Sequence, residues 1–151
     1  MLVDALLAWV HYVLIFALSE CLFAEIVFYR RELDRATLVR LQRVDLAYGI
    51  LAGSIVASGL ARVFFSPKGA AYYAHNPVFW TKMGLFVALG LLSIAPTLHF
   101  VRLAKGAASD GTVRVAARAF AATRGYLAAE IALLLLLPLC AAFMARGFAA
   151  V

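Results

Sequence analysis

Four long apolar runs decide what this chain can become. They cover residues 6–28, 46–65, 78–101 and 126–143, and no other stretch is long enough to compete. At about 1.5 Å per helical residue, each crosses a hydrocarbon core of about 30 Å. The bilayer core offers no water to backbone N–H and C=O groups, so each run must be a helix that satisfies its own. The expected fold is therefore all-α: one four-transmembrane-helix bundle spanning residues 1–151. Composition excludes the soluble and disordered alternatives. Hydrophobic residues make up 66% of the chain and charged residues 15%, whereas soluble domains sit near 45–50% and about 25%. The first run is not a secretory signal. It starts beside Asp4 instead of a basic cluster, it is too long, and it lacks a small-residue cleavage site.

The connections predict orientation. The first, 29–45, carries Arg30, Arg31, Arg35, Arg40 and Arg43, and the third, 102–125, carries Arg102, Lys105, Arg114, Arg118 and Arg124. The second, 66–77, has only Lys68. Basic residues are retained on the cytoplasmic side, so connections one and three are expected inside and both termini outside. The implied location is the bacterial inner membrane, as a multi-pass protein. The formal charge of +6 then reads as topology and as attraction to anionic lipids at the cytoplasmic face, not as nucleic-acid binding. Trp9, Tyr12, Tyr72, Tyr73, Phe79 and Trp80 would form an outer aromatic belt, with Tyr29, Tyr48, Phe100 and Tyr126 near the inner boundary.

Local signals fill in the ends. Asp34 is placed to cap a helix running from Arg35 into the second span, and Asp110 or Thr112 to cap one leading into the fourth. Ser66-Pro67-Lys68-Gly69 and Asn76-Pro77 bracket a short outer loop. Pro96 and Pro138 are expected to kink their helices. Gly49, Ala52, Gly53 and Gly59 lie on one face of the second helix with Asp45. Close approach of a neighbouring helix is expected there, making helix two central. The leucine-rich fourth helix has mostly lipid-facing character. Cys21 and Cys140 lie toward opposite membrane faces and read as packing residues.

Ionisable groups inside spans are the functional candidates, because their burial is costly. His11, Arg62 and Lys82 lie within about two turns of the outer boundary. Glu25, Asp45, His99 and Glu130 lie near the inner boundary, with Glu20 mid-membrane. At 100° per residue, His11, Leu18, Leu22 and Glu25 share one face of helix one, and Glu20 points the opposite way. If His11 and Lys82 both look inward they can hold a propionate, a carboxylate or a phosphate, with Arg62 and a Trp80 roof as further candidates. Glu20, Glu25, Asp45, Glu130 and His99 form a candidate polar or proton relay. Other readings stay open: Arg62 and Lys82 can snorkel to headgroups, Asp45 can sit opposite Arg43, and His11 can be purely structural. Glu25 and Glu130 can be neutral or paired with connection arginines, and His99 can lie at headgroup level. No metal site is expected, since no CxxC, HExxH or His-x-x-x-His spacing occurs, nor any P-loop, GxGxxG or GxSxG. His11 and His99 differ in depth by about 25 Å and cannot share one haem iron.

Two resemblances follow from these residues. Asp45, Tyr48-Gly49, Gly59-Leu60-Ala61-Arg62, Lys68-Gly69, Asn76-Pro77, Trp80-x-Lys82 and Pro96-Thr97 resemble a family of predicted bacterial membrane proteins, the domain of unknown function numbered 2214. It carries no assigned activity. More weakly, His11, Tyr48-Gly49, Trp80 and Lys82 are similar to the HemJ-type protoporphyrinogen oxidases, small four-helix membrane proteins. That similarity implies a redox or porphyrin-associated protein with haem b as its cofactor. In those proteins the third helix opens Trp-x-His-x-Lys, whereas here Trp80 stands two residues before Lys82. Three functional classes result. The first is a redox- or haem-linked protein with an outer-leaflet site at His11 and Lys82. The second is a small proton-coupled transporter using the acidic inner half. The third is a structural or accessory subunit, either as a homo-oligomer or in a larger membrane complex.

Overall fold

The computed structural model describes residues 2–65, 69–107 and 111–146. Seven elements follow one another: α1 (Leu2–Phe28), β1 (Glu32–Leu33), α2 (Arg35–Phe65), α3 (Gly69–Ala74), α4 (Pro77–Gly106), β2 (Val113–Arg114) and α5 (Ala117–Ala145). The helices α1, α2, α4 and α5 are each long and apolar enough to cross a membrane. The four-span reading therefore holds. Every helix outruns its apolar stretch, most of all α2 and α5 at the arginine-rich end, where charged residues continue the helix past the hydrocarbon.

The chain forms two hairpins. α1 packs along α2 and α4 along α5, and the hairpins join through α2 against α4 and α1 against α5. The buried interior runs through Leu18, Leu22, Tyr48, Ile55 and Leu127. Most other apolar side chains face outward, as in Phe16, Leu91 and Leu135, because lipid is as good a solvent for them as protein is.

The arginine-rich end has a core of its own. β1 pairs antiparallel with β2, placing Glu32 opposite Arg114 and Leu33 opposite Val113. Val115 N–H donates to Arg31 O at 2.8 Å, and Arg114 bridges Glu32 at 2.7 Å on the surface. Beneath this ribbon Leu33, Leu38, Leu41 and Val115 are buried around Tyr29. The Tyr29 ring stacks on Phe120 at 5.2 Å, tilts against Phe100 at 5.4 Å and meets His99 edge-on, while its hydroxyl bonds His99 Nε2 at 2.8 Å.

The Asp34 cap is present: Thr37 N–H donates to its Oδ1 at 2.8 Å, and the Thr37 hydroxyl and amide hold this carboxyl below the usual range. The expected Thr112 cap is not. Ala116 precedes α5 without a side-chain cap, because residues 113–114 are drawn into the ribbon. Asp110, Ser66, Pro67 and Lys68 lie outside the described residues. Gly69, at φ 75°, opens α3, a conformation that suits glycine because a Cβ would clash there. Asn76 caps α4 by accepting from Val78 N–H at 2.9 Å, with Pro77 in the first turn. α4 and α5 run on as helix through Pro96 and Pro138.

The glycine expectation needs correction. Gly49 and Gly53 face outward, and a Cβ on either would meet nothing within 4 Å. Of these three, Gly59 alone is closely approached, with a built Cβ 3.4 Å from His11 Cε1. Tyr48, Ile55 and the partly buried Leu51 and Ala52 of α2 join the core, whereas Gly49 and Gly53 are exposed. It is also no more central than α4, which contacts α2, α3 and α5 in the same way.

Candidate functional site

Two polar layers occupy the bundle interior, one of basic and one of acidic residues. The basic layer, toward α3, is built on His11, which is 4% exposed. Its Nδ1 shares a 2.8 Å hydrogen bond with Ser58 Oγ. Ser58 has one hydroxyl hydrogen, and that goes to Ile55 O at 3.1 Å. The imidazole therefore donates from Nδ1, and in the neutral ring Nε2 keeps its lone pair. Nε2 has no hydrogen-bond partner among the described residues.

Arg62 stands one turn beyond Ser58 on α2, and Lys82 lies on α4 toward the same end of the bundle. Arg62 lies beside the Tyr12 ring at 5.9 Å, and its buried Nε has no hydrogen-bond partner among the described residues. Lys82 is half-buried on α4. Trp80 does not roof this region. It is 60% exposed, and its indole N–H donates to Ala74 O at 2.9 Å, pinning it to the loop.

The acidic layer, toward the arginine-rich end, joins Glu25 from α1, Asp45 and Tyr48 from α2, and Glu130 from α5. Tyr48 O–H donates to Glu130 Oε2 at 3.0 Å, and Thr97 O–H donates to Asp45 Oδ1 at 2.6 Å. Glu25 and Glu130 are 2% and 1% exposed, and Oε1 of each has no hydrogen-bond partner among the described residues. The three carboxyls feel one another's charge. Glu20 is not among them: it sits on the outward face of α1. His99 belongs to the Tyr29 cluster instead.

Among the described residues the one close ion pair is the exposed Glu32–Arg114 contact. The half-buried Arg62 and Lys82 and the buried Glu25 and Glu130 make no close ion pair with one another. Among the described residues no group of His, Cys, Asp and Glu could hold a metal ion. His11 packs closely on α2: a Cβ built at Gly59 would stand 3.4 Å from its Cε1.

The sequence reading missed Ser58, Tyr48 as the Glu130 donor, and Thr97. One signal was there: Tyr48 lies one turn beyond Asp45, so the two share a face. Ser58 and Thr97 gave none, because their importance comes from helices far away in sequence.

Residues 3–149 match the model of a family described as "Predicted membrane protein (DUF2214)". No curated protein and no solved structure matches.

Proposed function

The chain belongs to this family of predicted membrane proteins, and on that premise we propose that it binds an anionic amphiphile in the outer half of the bundle. One observation carries this: Arg62 and Lys82 are half-buried cations toward the same end of the bundle, and the buried Nε of Arg62 has no hydrogen-bond partner among the described residues. A partly buried cation without a partner is costly, and a ligand carboxylate or phosphate would relieve both at once. Arg62 Nε supplies an unused hydrogen-bond donor. Membrane-soluble carboxylates fit this description, with porphyrins and quinone-type redox amphiphiles as the redox form of the reading. The bundle would lie in the bacterial inner membrane with its arginine-rich end toward the cytoplasm. There, a groove lined by Arg30, Arg31, Glu32 and Arg114 suits anionic headgroups.

The test is a titration of the detergent-purified protein with protoporphyrin IX and, separately, palmitate, read by quenching of Trp9 and Trp80 fluorescence. Lys82→Met and Arg62→Met should each weaken binding by about tenfold or more, the size of one charge-assisted contact. Unchanged affinity in both variants would sink the site. The absorbance of the protein as purified, between about 400 and 560 nm, reports whether a porphyrin travels with it.

A second reading, proton-coupled transport, is favoured by a different observation: the unpartnered Oε1 atoms of Glu25 and Glu130. Carboxyls so deeply buried, in no close ion pair among the described residues, are suited to taking up and releasing a proton. Glu25→Gln should then slow acidification of proteoliposomes under a pH gradient, and an unaltered rate in Glu25→Gln and Glu130→Gln alike would remove this reading.

A further inference from the structure

Two oddities on the outward surface lie at the same depth. Glu20 is an exposed carboxyl in the middle of α1, between Phe16 and Phe23, which are 71% and 66% exposed. Gly49, Gly53 and Ala57 leave a smooth strip on the outward face of α2. The His11–Ser58 bond fixes the antiparallel register of the hairpin. Both helices rise by the same amount per residue. Glu20 is therefore level with Gly49, Phe16 with Gly53, and Val13 with Val56. The acid and the knob on one helix match, in depth, the bare backbone and the hole on the other.

Within one chain these pairs cannot meet, because all of them face away from the bundle. We infer that two copies associate about an axis along the membrane normal, α1 of each lying on the glycine strip of α2 of the other. Such a contact is isologous, so every pairing is made twice. A partner inserted with the same topology brings its residues to matching depths, which an unrelated helix has no reason to do. Gly49 and Gly53 let the partner helix approach closely and leave the polar backbone of that turn within reach of the Glu20 side chain. Lipid offers that carboxyl no hydrogen-bond partner.

The experiment uses cysteine-free full-length chains (Cys21→Ala, Cys140→Ala) with two different tags, one carrying Val13→Cys and the other Val56→Cys, coexpressed and oxidised in membranes. A disulfide joining the two tags is expected. Glu20→Gln, a neutral isostere, should preserve it. Gly53→Leu and Glu20→Lys should abolish it, with thermal unfolding of the Gly53→Leu chain unchanged, because the new side chain meets nothing within its own protomer. Four outcomes overturn the inference: only 16.3-kDa chains, meaning that lipid covers the face; links solely between identical cysteines; a link to a foreign polypeptide; or a link that survives Gly53→Leu.

Discussion

A single cysteine at Thr112 in a cysteine-free chain should be protected from an impermeant maleimide in intact spheroplasts, and one at Ala70 should be labelled fully. Permeabilisation should expose Thr112. Both positions are exposed in the folded chain, so reactivity reports the side of the membrane and not burial. Ala70 lies in α3 at the loop end, and Thr112 precedes β2 at the arginine-rich end. The expectation rests on ten basic residues in the two connections at one end. Moving these across the bilayer opposes both the membrane potential and the attraction of anionic headgroups. The reverse labelling pattern would turn the bundle over and place the His11, Arg62 and Lys82 set in the inner leaflet.

Gly59→Leu should unfold the hairpin where Gly53→Leu does not. A Cβ at Gly59 already stands in van der Waals contact with His11 Cε1, at 3.4 Å, so alanine is tolerated there. The further atoms of leucine would have to enter the imidazole ring or push α1 away from α2. Overpacking of this kind costs about 1–3 kcal/mol, and here it also strains the Ser58 bond. The measurement is thermal unfolding in mild detergent, together with protoporphyrin binding. Gly59→Leu should lose both stability and binding, while Gly59→Ala keeps both. A Gly59→Leu chain as stable as wild type would mean that α1 and α2 do not approach at this level.

The pair of glycine substitutions shows where sequence reading reached its limit. Gly49, Gly53 and Gly59 look alike in a sequence, as small residues on a membrane helix, and all three read as helix contacts. The structure separates them, because only Gly59 lies against His11 of α1, while the buried arc of α2 holds the bulky Tyr48 and Ile55. Likewise Glu20 and Glu25 are equal candidates by residue type. Phase along one helix divided them correctly, since Glu25 shares the arc of His11, Leu18 and Leu22, all buried.

What the sequence determined by itself is what depends on distance along one chain. It fixed the number of spans, through the length of each apolar run against the bilayer. It fixed the two polar depths, through the constant helical rise, and the Asp34 cap, through a contact three residues long. Tertiary structure alone decided what depends on two segments meeting. The Glu32–Leu33 ribbon is too short to have a pattern and exists only because Val113–Arg114 lies beside it. Tyr29 looked like one more boundary aromatic until Phe100 and Phe120 were brought around it. Ser58 against His11, Tyr48 against Glu130 and Thr97 against Asp45 join residues 47, 82 and 52 positions apart. Such contacts have no local signature, because hydrogen bonds between helices are set by how side chains pack across the interface, and periodicity within one helix carries no information about its neighbour.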